Sequence, residues 1–199
     1  MALPTKNPDR PPTSGETSAE LRRRLNEVSA ELAEAKRRLE EVSLSDELTG
    51  LPNLRGFVLL AERQRKMTRR NFQTASVIHC DVDGLERLIE THGASAGNAI
   101  MVAAAGVLRS TFREEDLVAC VDGVRFAIFA TTPPEKVQAV RGRLAEACAQ
   151  LDAERTDLPG PLSLSYGFAS VSPSDERPLE TLLALAYERR NEDPREHAA

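Results

Sequence analysis

Apolar residues recur at Leu21, Leu25, Val28, Leu32, Ala35, Leu39 and Val42, spaced 4, 3, 4, 3, 4 and 3, with charged residues between them. This is an a/d seam over three heptads, and it predicts a long helix that meets a second helix as a coiled coil. A parallel homodimer is the expected arrangement; the alternative is a helix folded back on its own domain. Next comes "SDELTGLPNL", where Ser45 or Asp46 suits a helix cap while Gly50 and Pro52 break a helix, so this is a junction. "LRGFVLLAERQRKMTRR" reads as an amphipathic helix ending in a basic turn, which suits the helix dipole. "TASVIHCDVDG" is an apolar run of strand length closing on Asp81, Asp83 and Gly84. Two helical segments follow, "LERLIETHG" and "AGNAIMVAAAGVLRSTFRE", and then "VACVDGVRFAIFA" places Asp122-Gly123 between two apolar strands around Leu117–Val121 and Val124–Ala130. Asp-Gly in that setting predicts a tight hairpin with positive φ at both central residues. "PPEKVQAVRGRLAEACAQL" is a helix with Pro in its first turn, "GPLSLSYGFASV" an alternating strand and "RPLETLLALAYERRNE" a last helix. The order predicts an α+β fold, a central antiparallel or mixed sheet flanked by helices and preceded by the coiled-coil helix.

The chain has 199 residues, enough for one cored domain plus an appendage. Residues 1–15, rich in Pro and polar side chains, are expected to be disordered; 16–44 form the coiled coil, 45–191 the domain and 192–199 a polar tail. Net charge is −5, which argues against broad nucleic-acid binding but allows a small anionic ligand held by a few arginines. Cys80, Cys120 and Cys148 lie far apart, with no metal-site or disulfide spacing, and read as small buried hydrophobes in a reducing compartment. His79 and His92 read as ordinary strand and helix-end residues rather than ligands. The first residues, "MALPTKNPDRPPTSGETS", lack a signal peptide's apolar segment, and no apolar run approaches the roughly 20 residues of a spanning helix. The expected protein is soluble and cytoplasmic, with no membrane partner.

Four stretches in order then carry a resemblance. "DELTGLPNLRGF" (Asp46 to Phe57) resembles the D-x-L-T-G-L-x-N-R-R-x-F opening of GGDEF domains, the diguanylate cyclase family. "DVDGLERLIETHGASAGN" (Asp81 to Asn98) is similar to the family's D-I-D-x-F-K-x-I-N-D-x-x-G-H-x-x-G-D block, "REEDLVACVDGVRFAIF" to its R-x-x-D and signature hairpin, and "LSYGFA" to its S-I-G-x-A strand. The resemblance runs from about Asp46 to about Asn191 and implies a GGDEF, nucleotidyl-cyclase-like fold. It also implies an activity: active members join two GTP molecules into cyclic di-GMP across a dimer, using divalent cations.

The residues that would carry that activity differ here. Where the family hairpin reads Gly-Gly-Asp/Glu-Glu-Phe, this chain has Asp122, Gly123, Val124, Arg125 and Phe126. Val124 replaces a metal-binding acid and Arg125 the next carboxylate, while Asp81 matches one metal ligand and is vestigial on its own. Asp122 puts bulk and like charge where a glycine admits the triphosphate. The guanine-reading Asn aligns with Ile89, the guanine-reading Asp with Asn98, a phosphate-binding Lys with Glu86, and another with Arg190. Asp81 and Asp83 are also placed to cap the following helix. These departures imply no catalysis and no magnesium or other cofactor.

What matches is Arg113-Glu114-Glu115-Asp116, ending five residues before the signature turn as in the family's product-binding inhibitory site. Arginine forks onto guanine or phosphate, and Asp accepts from guanine's Watson–Crick edge. Arg141, with Arg143 as the alternative, falls where a second arginine joins, and Phe112 offers a stacking surface. The bland alternative is a solvated Arg113–Asp116 pair at a helix end. Three functions follow: a cyclic di-GMP effector acting on an unidentified protein partner, a nucleotide-independent interaction scaffold, and a residual cyclase.

Overall fold

The computed structural model describes residues 18–131, 134–155 and 157–190, and the expectations for residues 1–15 and 192–199 lie outside these. The chain divides after Ser43 into two compact units. In the first, α1 (Ser18–Val42) is one continuous helix. Leu21, Leu25, Val28 and Leu32 are all exposed along it, and Arg23 pairs with Glu27 one turn on at 2.9 Å. A stripe of exposed aliphatic residues on a polar helix is compatible with a coiled coil.

The second unit contains α2 (Leu54–Arg70), β1 (Ala75–Val82), α3 (Leu85–His92), α4 (Ala94–Thr111), β2 (Leu117–Cys120), β3 (Arg125–Ala130), α5 (Pro134–Glu154), β4 (Leu164–Val171) and α6 (Leu179–Arg190). The four strands form one sheet in the order β2-β3-β1-β4, antiparallel at every pairing. β1 is central, and its even and odd positions feed two different cores. Ile78, Cys80, Phe126 and Ile128 pack with Ile100, Leu108 and Leu144 from α4 and α5. Val77, Phe129, Ala127 and Ala169 pack with Phe57 and Ala61 of α2 and Leu182 and Ala186 of α6. A strand covered on both faces has no solvent side, which is why the apolar positions of β1 do not alternate with exposed ones and Ser76 and His79 are buried along with them. All three cysteines are buried, and burial pushes the Cys120 and Cys148 thiols up to about 11, so they stay protonated as inert packing groups.

The junction differs from its expected form. Asn53, not Ser45 or Asp46, caps α2, accepting from Gly56 N–H at 2.9 Å. Asp46 instead closes its own turn, accepting from the Thr49 N–H at 2.8 Å and hydroxyl at 2.6 Å. Pro52 separates Asp46 from the helix, so the carboxylate reaches only the local turn. Asn53 N–H donates to the Leu44 carbonyl, and Cys120 N–H to that of Pro52, both at 2.9 Å, tying the junction to β2.

The hairpin also differs. Val121 N–H donates to Arg125 C=O at 2.8 Å, leaving a three-residue loop of Asp122, Gly123 and Val124. Gly123 has φ +80°, whereas Asp122 has none of the positive φ expected of it. The Asp122 side chain does that work instead, accepting from the N–H of Val124 at 3.3 Å and of Arg125 at 2.9 Å.

Candidate functional site

A cleft of about 550 Å³ opens where β1 ends, lined by Asp81, Asp83, Glu86, Ile89, Val124, Arg125 and Tyr187 among others. The sheet register makes Asp81 and Arg125 direct cross-strand partners, so the guanidinium stands on the same face as the strand-end carboxylate. Arg125 Nε also bonds the Asp122 carboxylate, and the guanidinium lies 5.7 Å from the centroid of the Tyr187 ring. Tyr187 meets His79 edge-on at 5.1 Å, and His79 Nδ1 lies 3.8 Å from Asp81. His79 is buried. The result is a run of groups, Asp122–Arg125–Tyr187–His79–Asp81, that links the hairpin, α6 and β1.

Asp83 does not cap α3, and neither does Asp81. The N-cap is Gly84, in the left-handed region at φ +71°, with no side-chain bond to the helix. Asp83 instead accepts from the Ser163 hydroxyl at 2.6 Å and from the Ser165 hydroxyl. β1 runs straight into β4's neighbourhood, so a residue just past the strand meets the next strand before it meets the helix. Among the described residues no three of His, Cys, Asp and Glu converge as a metal-holding group.

Arg113 to Asp116 form the turn after α4 rather than the helix end itself, since α4 stops at Thr111 with Phe112 as its C-cap. Both Asp116 oxygens accept backbone donors, from Arg113 N–H at 3.2 Å and Thr131 N–H at 3.1 Å. The Arg113 guanidinium does not meet Asp116; it is 68% exposed and lies 3.6 Å from Glu115. Gln64 of α2 pins this turn by donating to the Glu115 carbonyl at 2.8 Å.

The remaining candidates are scattered. Glu86 and Ile89 line the cleft. Asn98 lies in another groove, between α4 and α5, with Leu48 and Val102. Arg141 is half-buried in a third groove between α5 and β4, with Cys148, Asp152 and Tyr166. Arg113 and Asp116 do not line that groove; they precede β2, and β2 and β4 are the two edges of the sheet. Arg143 is exposed on α5, and the Arg190 side chain lies outside the described residues. Sequence reasoning did not single out Tyr187, Gln64, Ser163 or Ser165 for these roles. The register of β1 on β3 and β4 is the signal that would have found the serines.

The family profile described as "Diguanylate cyclase, GGDEF domain" matches residues 43–194. The chain is 28% identical over 148 residues to the probable diguanylate cyclase DgcC of Escherichia coli K12, an alignment covering 74% of this chain and 40% of that protein. It thus spans well under half the length of that curated relative. Its fold is similar to the GGDEF domain of FimX from Pseudomonas aeruginosa, with TM-score 0.66 and 23% identity over 78% of this chain and 96% of that one. It is also similar to the coiled coil and GGDEF domain of DgcB from Caulobacter crescentus, solved in complex with c-di-GMP, with TM-score 0.64 and 21% identity over 88% and 94% of the two chains. With the sheet, the flanking helices and the signature hairpin in family order, the chain belongs to the GGDEF-domain family of diguanylate cyclases.

Proposed function

We propose that this chain is a catalytically inactive GGDEF protein that binds cyclic di-GMP as a signal and passes it to a protein partner. The observation that carries the inactive reading is the placement of Arg125 directly across the strands from Asp81. A divalent cation needs several hard oxygen donors free to face it. Here a guanidinium occupies one position, and Val124, a second, has no side-chain oxygen. The Asp122 carboxylate is engaged by two N–H groups and the Arg125 side chain, and that of Asp83 by two hydroxyls. This donor set does not fit a divalent cation, and phosphoryl transfer between two triphosphates lacks charge neutralisation without one.

Support for the effector reading is the Arg113 guanidinium, exposed on a turn closed by the Asp116 carboxylate and tied to its surroundings by Thr131 and Gln64. A preformed, solvent-facing guanidinium forks onto guanine or phosphate with little ordering cost. Arg141 or Arg143 joins it from α5 of the same or a partner domain. Titration calorimetry with cyclic di-GMP, with GTP in parallel, is expected to give micromolar or tighter binding of the first ligand only. Arg113→Ala is expected to weaken it by at least about tenfold, the worth of one bidentate contact. Heat from neither ligand sinks the effector reading, and cyclic di-GMP formed from GTP and magnesium sinks the inactive one.

A second reading, a scaffold without nucleotide, draws on Asp116, whose oxygens are both spent on backbone donors. It is the outcome if neither ligand binds.

Dimerisation belongs to α1. In the heptad register Glu31 falls at g and Lys36 at the following e, an attractive pair across a parallel dimer. Leu25→Asp with Leu32→Asp is expected to convert a dimer to a monomer in sedimentation velocity. A monomeric starting protein, or a double variant that stays dimeric, removes α1 from that role.

A further inference from the structure

α2 carries Arg55, Arg63, Arg65, Lys66, Arg69 and Arg70 against one acid, Glu62, a net +5 within a chain of net −5. Its buried face is Phe57, Ala61 and Thr68. The cations divide between two surroundings. Arg65 pairs with Glu62 at 3.3 Å and donates to the Arg177 carbonyl at 2.6 Å, and Arg69 lies 3.9 Å from Glu176. Arg63, Lys66 and Arg70 are exposed and form no ion pair among the described residues. Helical spacing puts these three on one side with Leu59 and Met67, which are both more than half exposed. The stripe from Leu59 to Arg70 runs for ~16 Å at 1.5 Å per residue.

The stripe ends on an aromatic. Phe72 has φ +53°, the one non-glycine residue with positive φ among those described, and it is 88% exposed. The helix closes there by Phe72 N–H to Arg69 C=O at 3.2 Å and Gln73 N–H to Thr68 C=O at 2.9 Å. Helices usually place glycine at such a left-handed closing position, because any Cβ there is strained. Phenylalanine pays that strain and buries little of its surface in return, so packing inside the domain does not account for it.

We infer that the outer face of α2 is a docking surface for an anionic phospholipid membrane, with Arg63, Lys66 and Arg70 on the headgroups and Leu59, Met67 and Phe72 entering the interface. Charge complementarity selects the partner's sign, and shape selects its kind. Apolar and cationic side chains alternate along a convex helix, and none of them lines any of the three grooves described above. A projecting ring on a convex face suits a deformable surface, in the manner of interfacial basic helices. A protein partner needs a pocket built to receive it. The expectation of no membrane partner rested on the lack of a spanning segment. That lack stands among the described residues and is no bar to surface docking. The inference does not depend on the nucleotide reading.

The test is co-sedimentation of the full chain with phosphatidylcholine vesicles, with and without about one-third phosphatidylglycerol, at low and high salt. Binding is expected only to the anionic vesicles, weakening with salt, and at least about tenfold weaker in Arg63→Glu with Arg70→Glu. The chain has no Trp, so Phe72→Trp supplies a single reporter whose emission is expected to shift to the blue on those vesicles alone. Phe72→Gly is expected to raise the melting temperature while weakening vesicle binding, a split that a purely structural Phe72 does not produce. No binding to anionic vesicles overturns the inference, whatever acidic protein the face then takes. So does binding that ignores the charge reversals or leaves the tryptophan emission unmoved.

Discussion

Gly56→Ala is expected to lower the melting temperature of the GGDEF domain by about 5–10 °C, the shift that a loss of about 2–3 kcal/mol gives in a domain of this size. A Cβ at Gly56 would overlap the Leu44 carbonyl oxygen, with Leu44 C and Pro52 Cβ each only 3.2 Å away. That carbonyl cannot retreat cheaply, because it also accepts from Asn53 N–H, and Asn53 is the cap of α2. Ala at a helical position ordinarily gains up to about 1 kcal/mol over Gly, so the overlap has to outweigh a favourable change. Gly97→Ala is the control. Its Cβ would meet Ile89 Cγ1 at 2.5 Å and Cδ1 at 2.9 Å, atoms of a partly exposed side chain free to change rotamer. Its expected loss is under about 1 kcal/mol. Equal shifts for the two variants in thermal denaturation would show that backbone and side-chain obstacles count alike here, against this ranking.

Arg125→Glu is expected to destabilise the domain by about 2 kcal/mol at low salt and to make its stability depend on magnesium. The substitution removes the partner of Asp122 and places a fifth carboxylate beside Asp81, Asp83, Glu86 and Asp122. Like charges in one cleft repel, and a divalent cation is the natural remedy. Melting curves with magnesium chloride against ionic-strength-matched sodium chloride are expected to rise only in the variant. A wild-type domain that gains as much from magnesium would mean that its own carboxylates hold the cation, and the proposed loss of catalysis would fall with that result.

The helices, the strands and the family were legible in the sequence because each rests on spacing: the 4-3 seam of α1, the apolar run of β1, the motifs in order. The cleft's inner chemistry was only half legible. That Arg125 stands where an acid is expected can be read from the hairpin, but its contact with Tyr187 depends on where α6 settles on the sheet. Asp83 looked like a cap because sequence shows only the helix that follows it; Ser163 and Ser165 lie about 80 positions away and arrive through the β1–β4 register. Asp122-Gly123 suggested a two-residue turn because Val124 reads as strand, yet its N–H is needed to satisfy the Asp122 carboxylate. Phe72 carried no signal at all, since its left-handed backbone follows from how α2 closes and not from residue type.

The strand order has a consequence for how the molecule is made. β1 is the first strand to leave the ribosome, yet it lies inside the sheet, with β3 on one side and β4 on the other. Its full ladder to β4 joins Ala75 to Val171 and Val82 to Leu164, so one flank of this buried strand waits for nearly the whole domain to be translated. Such non-local pairing slows folding and leaves an open strand edge exposed in the meantime. During synthesis, the nascent chain's vulnerable interval is therefore set by the arrival of β4.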